Sequence, residues 1–212
     1  MRAVSFGSNL CLQKRRDEEE EYTTEYDETE GGYGIAALYL SSQRIPTGLR
    51  ITTPRRIVFQ TRAADQGFAS FGGEGTFGNS HTWFEASILK PWAGSGGHPI
   101  EADTVLEEVF DEDNTWWDVS HARDDLRSNG WDFVEGENGR LTWKVCNNLT
   151  ACATFRNYRV EWTMGVATEV EDERAVGSGE GFLKLLKPGY KVVLWARAEY
   201  LAWINKVAAA TI

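Results

Sequence analysis

The stretch YRVEWTM, residues 158–164, alternates apolar and polar side chains along its whole length. Successive side chains of a β-strand point to opposite faces of the sheet, so a period of two indicates a strand with one buried face. The side chains that would face inward are Tyr158, Val160, Trp162 and Met164. This stretch therefore predicts an amphipathic strand of an antiparallel sheet.

Other segments carry a similar signal. Alternation or short apolar runs occur in YGIAALYLS, RIVFQTR, TWFEASIL, LTWKVC and VAAATI, which are residues 33–41, 56–62, 82–89, 141–146 and 207–212. YKVVLWARAEY, residues 190–200, is apolar on both faces for most of its length, which predicts a central strand covered on both sides. We expect short helices at 104–110 and 121–130, the second ending at Gly130. Strands separated by glycine-rich loops favour a mainly β fold, an antiparallel β-sandwich or jelly roll with one or two short helices.

The size and composition fit one domain preceded by a tail. The chain has 212 residues, of which 42% are hydrophobic and 12% aromatic, enough for a sizeable core. We predict an acidic tail at residues 1–30 and a single sandwich domain at 31–212. No apolar stretch is long enough for a membrane span, and the first residues do not resemble a signal peptide. These features predict a soluble, cytoplasmic protein that does not bind a membrane, and the three cysteines are interpreted as reduced packing residues.

The formal net charge of −10 is concentrated in two acidic patches. Residues 17–30 contain nine acids and no base, and residues 101–125 contain ten acids and one base. The rest of the chain has 13 acids and 21 bases, a net charge of +8. The first patch is interpreted as a solvated, disordered tail, because dense like charge opposes ordering. The alternative is that it folds back onto a basic surface or recruits a basic partner. The bases are scattered, so no nucleic-acid partner is predicted.

Three stretches resemble a known domain: PRRIVFQTRAADQGF (54–68), GTFGNSHTWFEA (75–86) and ARAEYLAWINKV (196–207). They are similar to a domain common in fungal proteins with Asp-Gln-Gly-aromatic, Gly-Thr-aromatic, Trp-Thr-Trp-Phe-Glu and Ala-Arg-Ala motifs on a galactose-binding-like sandwich. The chain departs from that pattern where we expect Trp, Tyr and a Pro-Gly corner, at Phe68, Phe77 and Leu201-Ala202.

The order of motifs is also similar, more distantly, to the sugar-binding domain of F-box proteins. That resemblance implies a small ligand held by loops at one end of the sandwich, with Tyr200 and Trp203 touching a sugar.

Carbohydrate recognition uses flat aromatic faces together with carboxylates and amides that bond hydroxyls, and the loops contain both. The leading hypothesis is a non-enzymatic, lectin-like binding module for a glycan or similar polar ligand. In the alternative, Asp65 makes a turn bond to its own backbone and the rings plug the end of the sandwich. The candidate contacts are Asp65, Gln66, Phe68, Trp117, Tyr200, Trp203 and Asn205.

A second hypothesis is a protein-interaction or self-assembly module. Here the acidic tail and the segment Trp116-Trp117 would meet a protein partner or a second copy of the chain, since exposed aromatic anchors ringed by charge suit an interface. The acids around these tryptophans, among them Asp111, Asp113 and Asp118, could hold calcium, but they lack the spacing of a hand-type loop.

Catalytic signals are weak. His81, His98 and His121 lie in separate segments without metal-ligand spacing, and neither a nucleophile elbow nor a phosphate-binding loop is present. We therefore predict no enzymatic activity, no cofactor and no metal.

Overall fold

The computed structural model describes residues 11–47, 54–93, 114–168, 170 and 172–212. Strands dominate this part of the chain, and they form two antiparallel sheets stacked in a sandwich. The strands, in chain order, are β1 (Arg15–Arg16), β2 (Glu20–Thr23), β3 (Glu25–Asp27), β4 (Gly32–Ser41), β5 (Arg56–Asp65), β6 (Thr82–Pro91), β7 (Thr115–Trp116), β8 (Trp131–Phe133), β9 (Trp143–Asn147), β10 (Arg156–Thr163), β11 (Lys191–Glu199) and β12 (Ile204–Thr211). The prediction of a mainly β antiparallel sandwich is confirmed.

The helical elements are short. They are α1 (Arg123–Ser128), α2 (Phe182–Leu185) and two 3-10 turns at Val119–Ala122 and Glu137–Gly139. The predicted helix at 121–130 corresponds to the first 3-10 turn and α1, and the chain leaves it at Gly130 with a φ of +78°. The predicted helix at 104–110 lies outside the described residues.

Each sheet has a simple order. The five-stranded sheet runs β1-β12-β5-β10, with β2 also paired to β12, and the seven-stranded sheet runs β3-β4-β11-β6-β8, with β7 paired to β4 and β9 paired to β6. As predicted, β11 is central, because it lies between β4 and β6 and all but its last residue are buried. β11 is therefore hydrogen-bonded to a neighbouring strand along both of its edges.

The main core lies between the two sheets. Aromatic rings meet edge to face at its centre: Phe59 with Trp162 at a centroid distance of 4.9 Å, and Phe182 with Trp162 at 5.0 Å. Val160 and Trp162 of β10 point inward, as their alternation predicted, and α2 contributes Phe182. Full burial of each such side chain contributes about 1.5–3 kcal/mol, so this aromatic cluster is a main source of stability.

A second apolar cluster covers part of the outer face of the seven-stranded sheet. The segment from the first 3-10 turn to β8 supplies Val119, Leu126 and Trp131, which pack on Val193 and Trp195 of β11. This segment covers only part of the sheet face. The neighbouring part, around residues 85 and 197, lines a groove.

The acidic segment 17–30 is ordered in strands, which corrects its interpretation as a disordered tail. β2 pairs with β12, and β3 pairs with β4. The physical reason is an alternation hidden by the charge: Tyr22 packs against the core and Thr24 is buried, while Glu21 and Glu25, on either side of them, are exposed. Lys206 Nζ forms an ion pair with Glu21 Oε1 at 2.6 Å. The segment folds back onto the two sheets through strand pairing, and it belongs to the sandwich.

Candidate functional site

Asp65 and Trp203, predicted as ligand contacts, are buried and bonded to each other. Their exposed fractions are 0% and 2%, and Trp203 Nε1 donates to Asp65 Oδ1 at 2.8 Å. Thr82 Oγ1 donates to the same oxygen at 3.3 Å, and the Ala151 amide donates to Oδ2 at 2.7 Å. The carboxylate is thus satisfied by protein donors from three other segments. Its role is to join those segments, which corrects both the prediction of ligand contact and the alternative of a turn bond within its own loop.

Asn205 is buried in the same region. Its Nδ2 donates to the carbonyls of Trp83 at 3.1 Å and Arg197 at 2.9 Å, and its Oδ1 accepts from Asn148 Nδ2 at 2.9 Å. These bonds connect β12 of one sheet to β6 and β11 of the other. The predicted ligand role of Asn205 is therefore corrected to a structural one, because its amide is fully used inside the protein.

Phe68 and Tyr200 lie on the surface at one end of the sandwich. Phe68, Phe71, Tyr200 and Leu201 are 66%, 60%, 43% and 58% exposed, and we call these four residues the aromatic rim. Tyr200 meets Phe71 edge to face at 5.6 Å and stacks on His81 at 5.2 Å. Gln66 Nε2 is engaged locally, donating to the Phe68 carbonyl at 3.0 Å. The loops thus expose rings, as predicted, but Asp65 and Asn205, which were predicted to act with them, are buried.

Trp116 and Trp117 are half-buried and bonded, so neither is a free anchor. Trp117 Nε1 donates to the Gly32 carbonyl at 3.2 Å, and a Cβ added at Gly34 would lie 2.7 Å from the Trp117 carbonyl oxygen. Trp116 Nε1 donates to Asp125 Oδ2 at 2.7 Å, and its ring meets Trp195 at 5.8 Å. Both rings hold their segment against the seven-stranded sheet. The ring of Trp117 contacts His121, whereas the rings of Tyr200 and Trp203 contact each other.

A groove of about 330 Å³ opens on the outer face of the seven-stranded sheet. It lies beside the segment that covers the rest of that face, and we call it the Arg197 groove. Its lining residues come from β6, β11, the start of the first 3-10 turn and the approach to β9: Glu85, Asp118, Val119, Ser120, Arg140, Leu141, Thr142 and Arg197. Neither Asp65 nor any residue of the aromatic rim lines it.

Arg197 is the central charge of this groove. Its side chain is only 10% exposed, and it bonds Glu85 at 3.3 Å and Asp118 at 2.8 Å. The guanidinium also lies 5.3 Å from the ring centre of Trp83, the residue opposite Arg197 in the pairing of β11 with β6. The sheet register therefore places a cation, a carboxylate and an aromatic ring on one face of two neighbouring strands.

Asp118 is held as a carboxylate. Its Oδ1 accepts from the amide and the hydroxyl of Ser120, both at 3.0 Å, while Oδ2 accepts from Arg197. Burial raises its pKa, but the charge of Arg197 and the Ser120 bonds outweigh burial, and the net pKa lies below the usual value. Asp118 is thus ionised at neutral pH and serves as a fixed acceptor.

Two further cations stand on the β9 side of the groove. Lys144 is directly opposite Glu85 in the pairing of β9 with β6, and burial lowers its pKa although the charge of Glu85 opposes that effect. Arg140 lines the groove and is exposed, with its guanidinium 5.9 Å from the ring centre of Trp143. The groove therefore offers donors and acceptors side by side, which suits a ligand rich in hydroxyl groups.

The sequence did carry a signal for this site. Glu85 and Arg197 are charged residues inside TWFEASIL and ARAEY, two strands that are otherwise mostly apolar. A charge in the middle of a buried strand indicates either an ion pair or a functional site. Which residues would meet there depended on the register of β6 with β11, and that register is not readable from either strand alone.

The histidines and acids of the described segments do not form a metal-binding cluster. The described segments contain no group of three or more histidine, cysteine, aspartate or glutamate side chains arranged to hold a metal ion. His81 lies 3.5 Å from Glu199 and His121 lies 3.2 Å from Glu30. His98 and the acids at 111–113 lie outside the described residues.

Within the described ranges, no helix combines the length and apolarity required to cross a bilayer.

Comparison of the chain with protein-family models, with curated proteins and with solved structures finds no match. The likeness to a fungal sandwich domain stays a prediction from its motifs.

Proposed function

We propose that this chain is a non-enzymatic binding module that holds a glycan or another polar small ligand in the Arg197 groove. The observation that carries the proposal is Arg197 itself, a nearly buried guanidinium between two carboxylates at an opening of about 330 Å³. A buried ion pair contributes little net stability compared with apolar residues of similar size. Stability alone is therefore a poor reason for placing three charges here, and ligand recognition is a better one.

The chemistry of the lining suits sugar hydroxyls. Glu85 uses Oε2 for Arg197, which leaves Oε1 for a ligand hydroxyl, and the hydroxyls of Ser120 and Thr142 are at the same opening. Hydrogen bonds to ionised groups are stronger than neutral ones, so such acceptors fix the orientation of a polyol. The volume lies at the small end of ligand pockets, which fits one or two sugar units.

Asp118 is poorly suited to act as a general acid. A general acid must hold a proton at working pH, and its pKa is usually raised for that purpose. The pKa of Asp118 is lowered instead. We infer that Asp118 positions a ligand and does not donate a proton to it.

A glycan array followed by calorimetry tests the proposal. The wild type is expected to retain at least one class of glycan, and Glu85→Gln to weaken that binding about tenfold or more, because a charged acceptor becomes a neutral amide. Glu161→Gln is the matched control, since Glu161 lies on β10 of the other sheet and pairs with Arg159. Equal binding by wild type and Glu85→Gln would contradict the groove as the site.

A second candidate function is protein interaction through the aromatic rim, which is favoured by its four exposed side chains. Aromatic side chains that meet a partner are typical interface anchors. Sedimentation velocity over a rising protein concentration tests self-association. Phe71→Ser is expected to abolish any dimer, whereas Val166→Ser, at another exposed apolar position, leaves it unchanged. A monomer at every concentration would contradict self-association through the rim.

A further inference from the structure

We propose that the preferred ligand of the Arg197 groove is a sugar bearing a carboxylate, with Arg140 as the residue that binds the acid group. This inference rests on the proposed function, because it names the ligand class of the same groove. It comes from the pairing of charges around the opening and from the surroundings of Arg140.

The pairing of charges in the groove favours an anionic ligand. The four charged residues that line it, Glu85, Asp118, Arg140 and Arg197, sum to zero. Arg197 is already paired with both Glu85 and Asp118. Among the described residues Arg140 is therefore the cation of the lining that has no carboxylate partner, and a carboxylate on the ligand would supply one.

Arg140 is free to accept this group. No carboxylate of the described residues forms an ion pair with it, and its guanidinium lies over the ring of Trp143. A guanidinium stacked near a ring keeps its N–H edge available, and that edge matches the two oxygens of a carboxylate.

The backbone that carries Arg140 is closely constrained. Gly136 donates its amide to the Arg140 carbonyl at 2.8 Å and closes a tight turn. Within the turn Asn138 and Gly139 both have a positive φ, of 58° and 75°. A Cβ added at Gly136 would lie 2.7 Å from the Trp143 ring, so the turn is packed directly on that ring. The position of Arg140 relative to β9 is therefore set before any ligand arrives, which reduces the ordering cost of binding.

Division of labour within the groove follows from these contacts. Arg140 would bind the acid group, while Glu85 Oε1, Ser120 and Thr142 would bond the ring hydroxyls. Arg197 would not contact the acid directly, because two of its nitrogens are already used by protein carboxylates. It would instead hold Glu85 and Asp118 in place.

Calorimetric titration of the full chain with three small sugars tests the inference. The probes are glucuronate, glucose and glucose 6-phosphate, and the variants are Arg140→Gln and, as control, Arg156→Gln, an exposed arginine of the other sheet. Glucuronate is expected to bind the wild type about tenfold more tightly than glucose, as one added charge-assisted contact predicts. Arg140→Gln should remove that difference, and Arg156→Gln should retain it. Raising the salt concentration should narrow the difference, because Arg140 is exposed.

The outcomes separate the inference from the proposed function. Equal binding of glucose and glucuronate by the wild type, with both weakened in Glu85→Gln, overturns the acidic ligand and supports the groove. Tighter binding of glucose 6-phosphate than of glucuronate overturns the assignment of a carboxylate. If array glycans bind in the groove but none of the three sugars does, the inference alone fails. Loss of the preference in Arg156→Gln as well as in Arg140→Gln would also overturn it.

Discussion

The indole Nε1 of Trp203 donates to Oδ1 of Asp65 at 2.8 Å, and both side chains are closed off from solvent. Asp65 ends β5, and Trp203 immediately precedes β12, its neighbour in the five-stranded sheet. The bond therefore fixes the corner through which the chain enters its last strand. Two residues with the chemistry of a sugar site serve instead as an internal clamp.

Removing the indole N–H should destabilise the fold without changing ligand binding. Trp203→Phe keeps most of the ring packing but leaves a buried carboxylate oxygen short of a donor, at a cost of about 1–3 kcal/mol in the free energy of unfolding. Urea denaturation measures that change. Trp92→Phe, at a side chain that is 38% exposed, is the control and should be near neutral. Unchanged stability together with lost glycan binding in Trp203→Phe would restore Trp203 as a ligand contact.

The N-terminal segment should be necessary for full stability. Thr24 Oγ1 donates to the Tyr200 carbonyl at 2.7 Å and accepts from the Trp203 amide at 3.1 Å, so it closes the corner before β12. Thr24→Ala leaves a buried amide and carbonyl with one partner fewer and should lower the free energy of unfolding by about 1–2 kcal/mol. Thr23→Ala is the matched control, because Thr23 is the exposed neighbour on β2. Equal, small effects on the melting temperature in both variants would argue for a weakly attached tail.

The turn between β11 and β12 should be improved by glycine. Ala202 has a φ of 57°, a left-handed conformation that costs a residue with a Cβ about 1 kcal/mol. Ala202→Gly should therefore raise the free energy of unfolding, although the greater freedom of glycine in the unfolded chain offsets part of the gain. Ala209→Gly, inside β12, should lower it by about 0.5–1 kcal/mol. Thermal unfolding of the two variants checks that their changes in the free energy of unfolding have opposite signs. Destabilisation by Ala202→Gly would show that the backbone at Ala202 is not strained.

Cys146 should resist thiol reagents in the folded protein. Burial raises the pKa of its thiol to about 12 from an ordinary value of 9.0, so the reactive thiolate is scarce at pH 8. Cys11 is exposed and Cys152 is partly buried. Titration with a disulfide reagent at pH 8 should label Cys11 rapidly and Cys146 only after denaturant is added. Labelling of all three thiols at one rate in the native protein would contradict the burial.

The strands were predictable because their signal is local. Alternation in YRVEWTM and two-sided apolarity in YKVVLWARAEY each depend on one stretch of sequence, and both agree with the structure. The segment 17–30 was interpreted wrongly because its density of carboxylates obscured Tyr22 and Thr24, which face the sandwich between exposed neighbours. Ordering there depends on the edge of β12, far away in the chain, which supplies the backbone partners.

The candidate site was less predictable because it depends on long-range contacts. Asp65 precedes a loop rich in aromatic residues, which suits a ligand site, but its Oδ2 partner is the amide of Ala151, 86 residues later. Arg197 meets Asp118 only because the covering segment crosses the outer sheet face next to β11. Residue type alone identifies candidate acidic and aromatic side chains. Only the folded structure shows which of them are buried and which line a groove.

Backbone NMR shifts during titration with a retained glycan test the location of the site most directly. The account predicts that the perturbed amides cluster at Ser120, Arg140, Leu141 and Thr142, around the Arg197 groove. The amide chemical shifts of Phe68, Phe71 and Tyr200 on the aromatic rim should not change. Shifts concentrated at the rim, with the groove amides unmoved, would contradict the central claim.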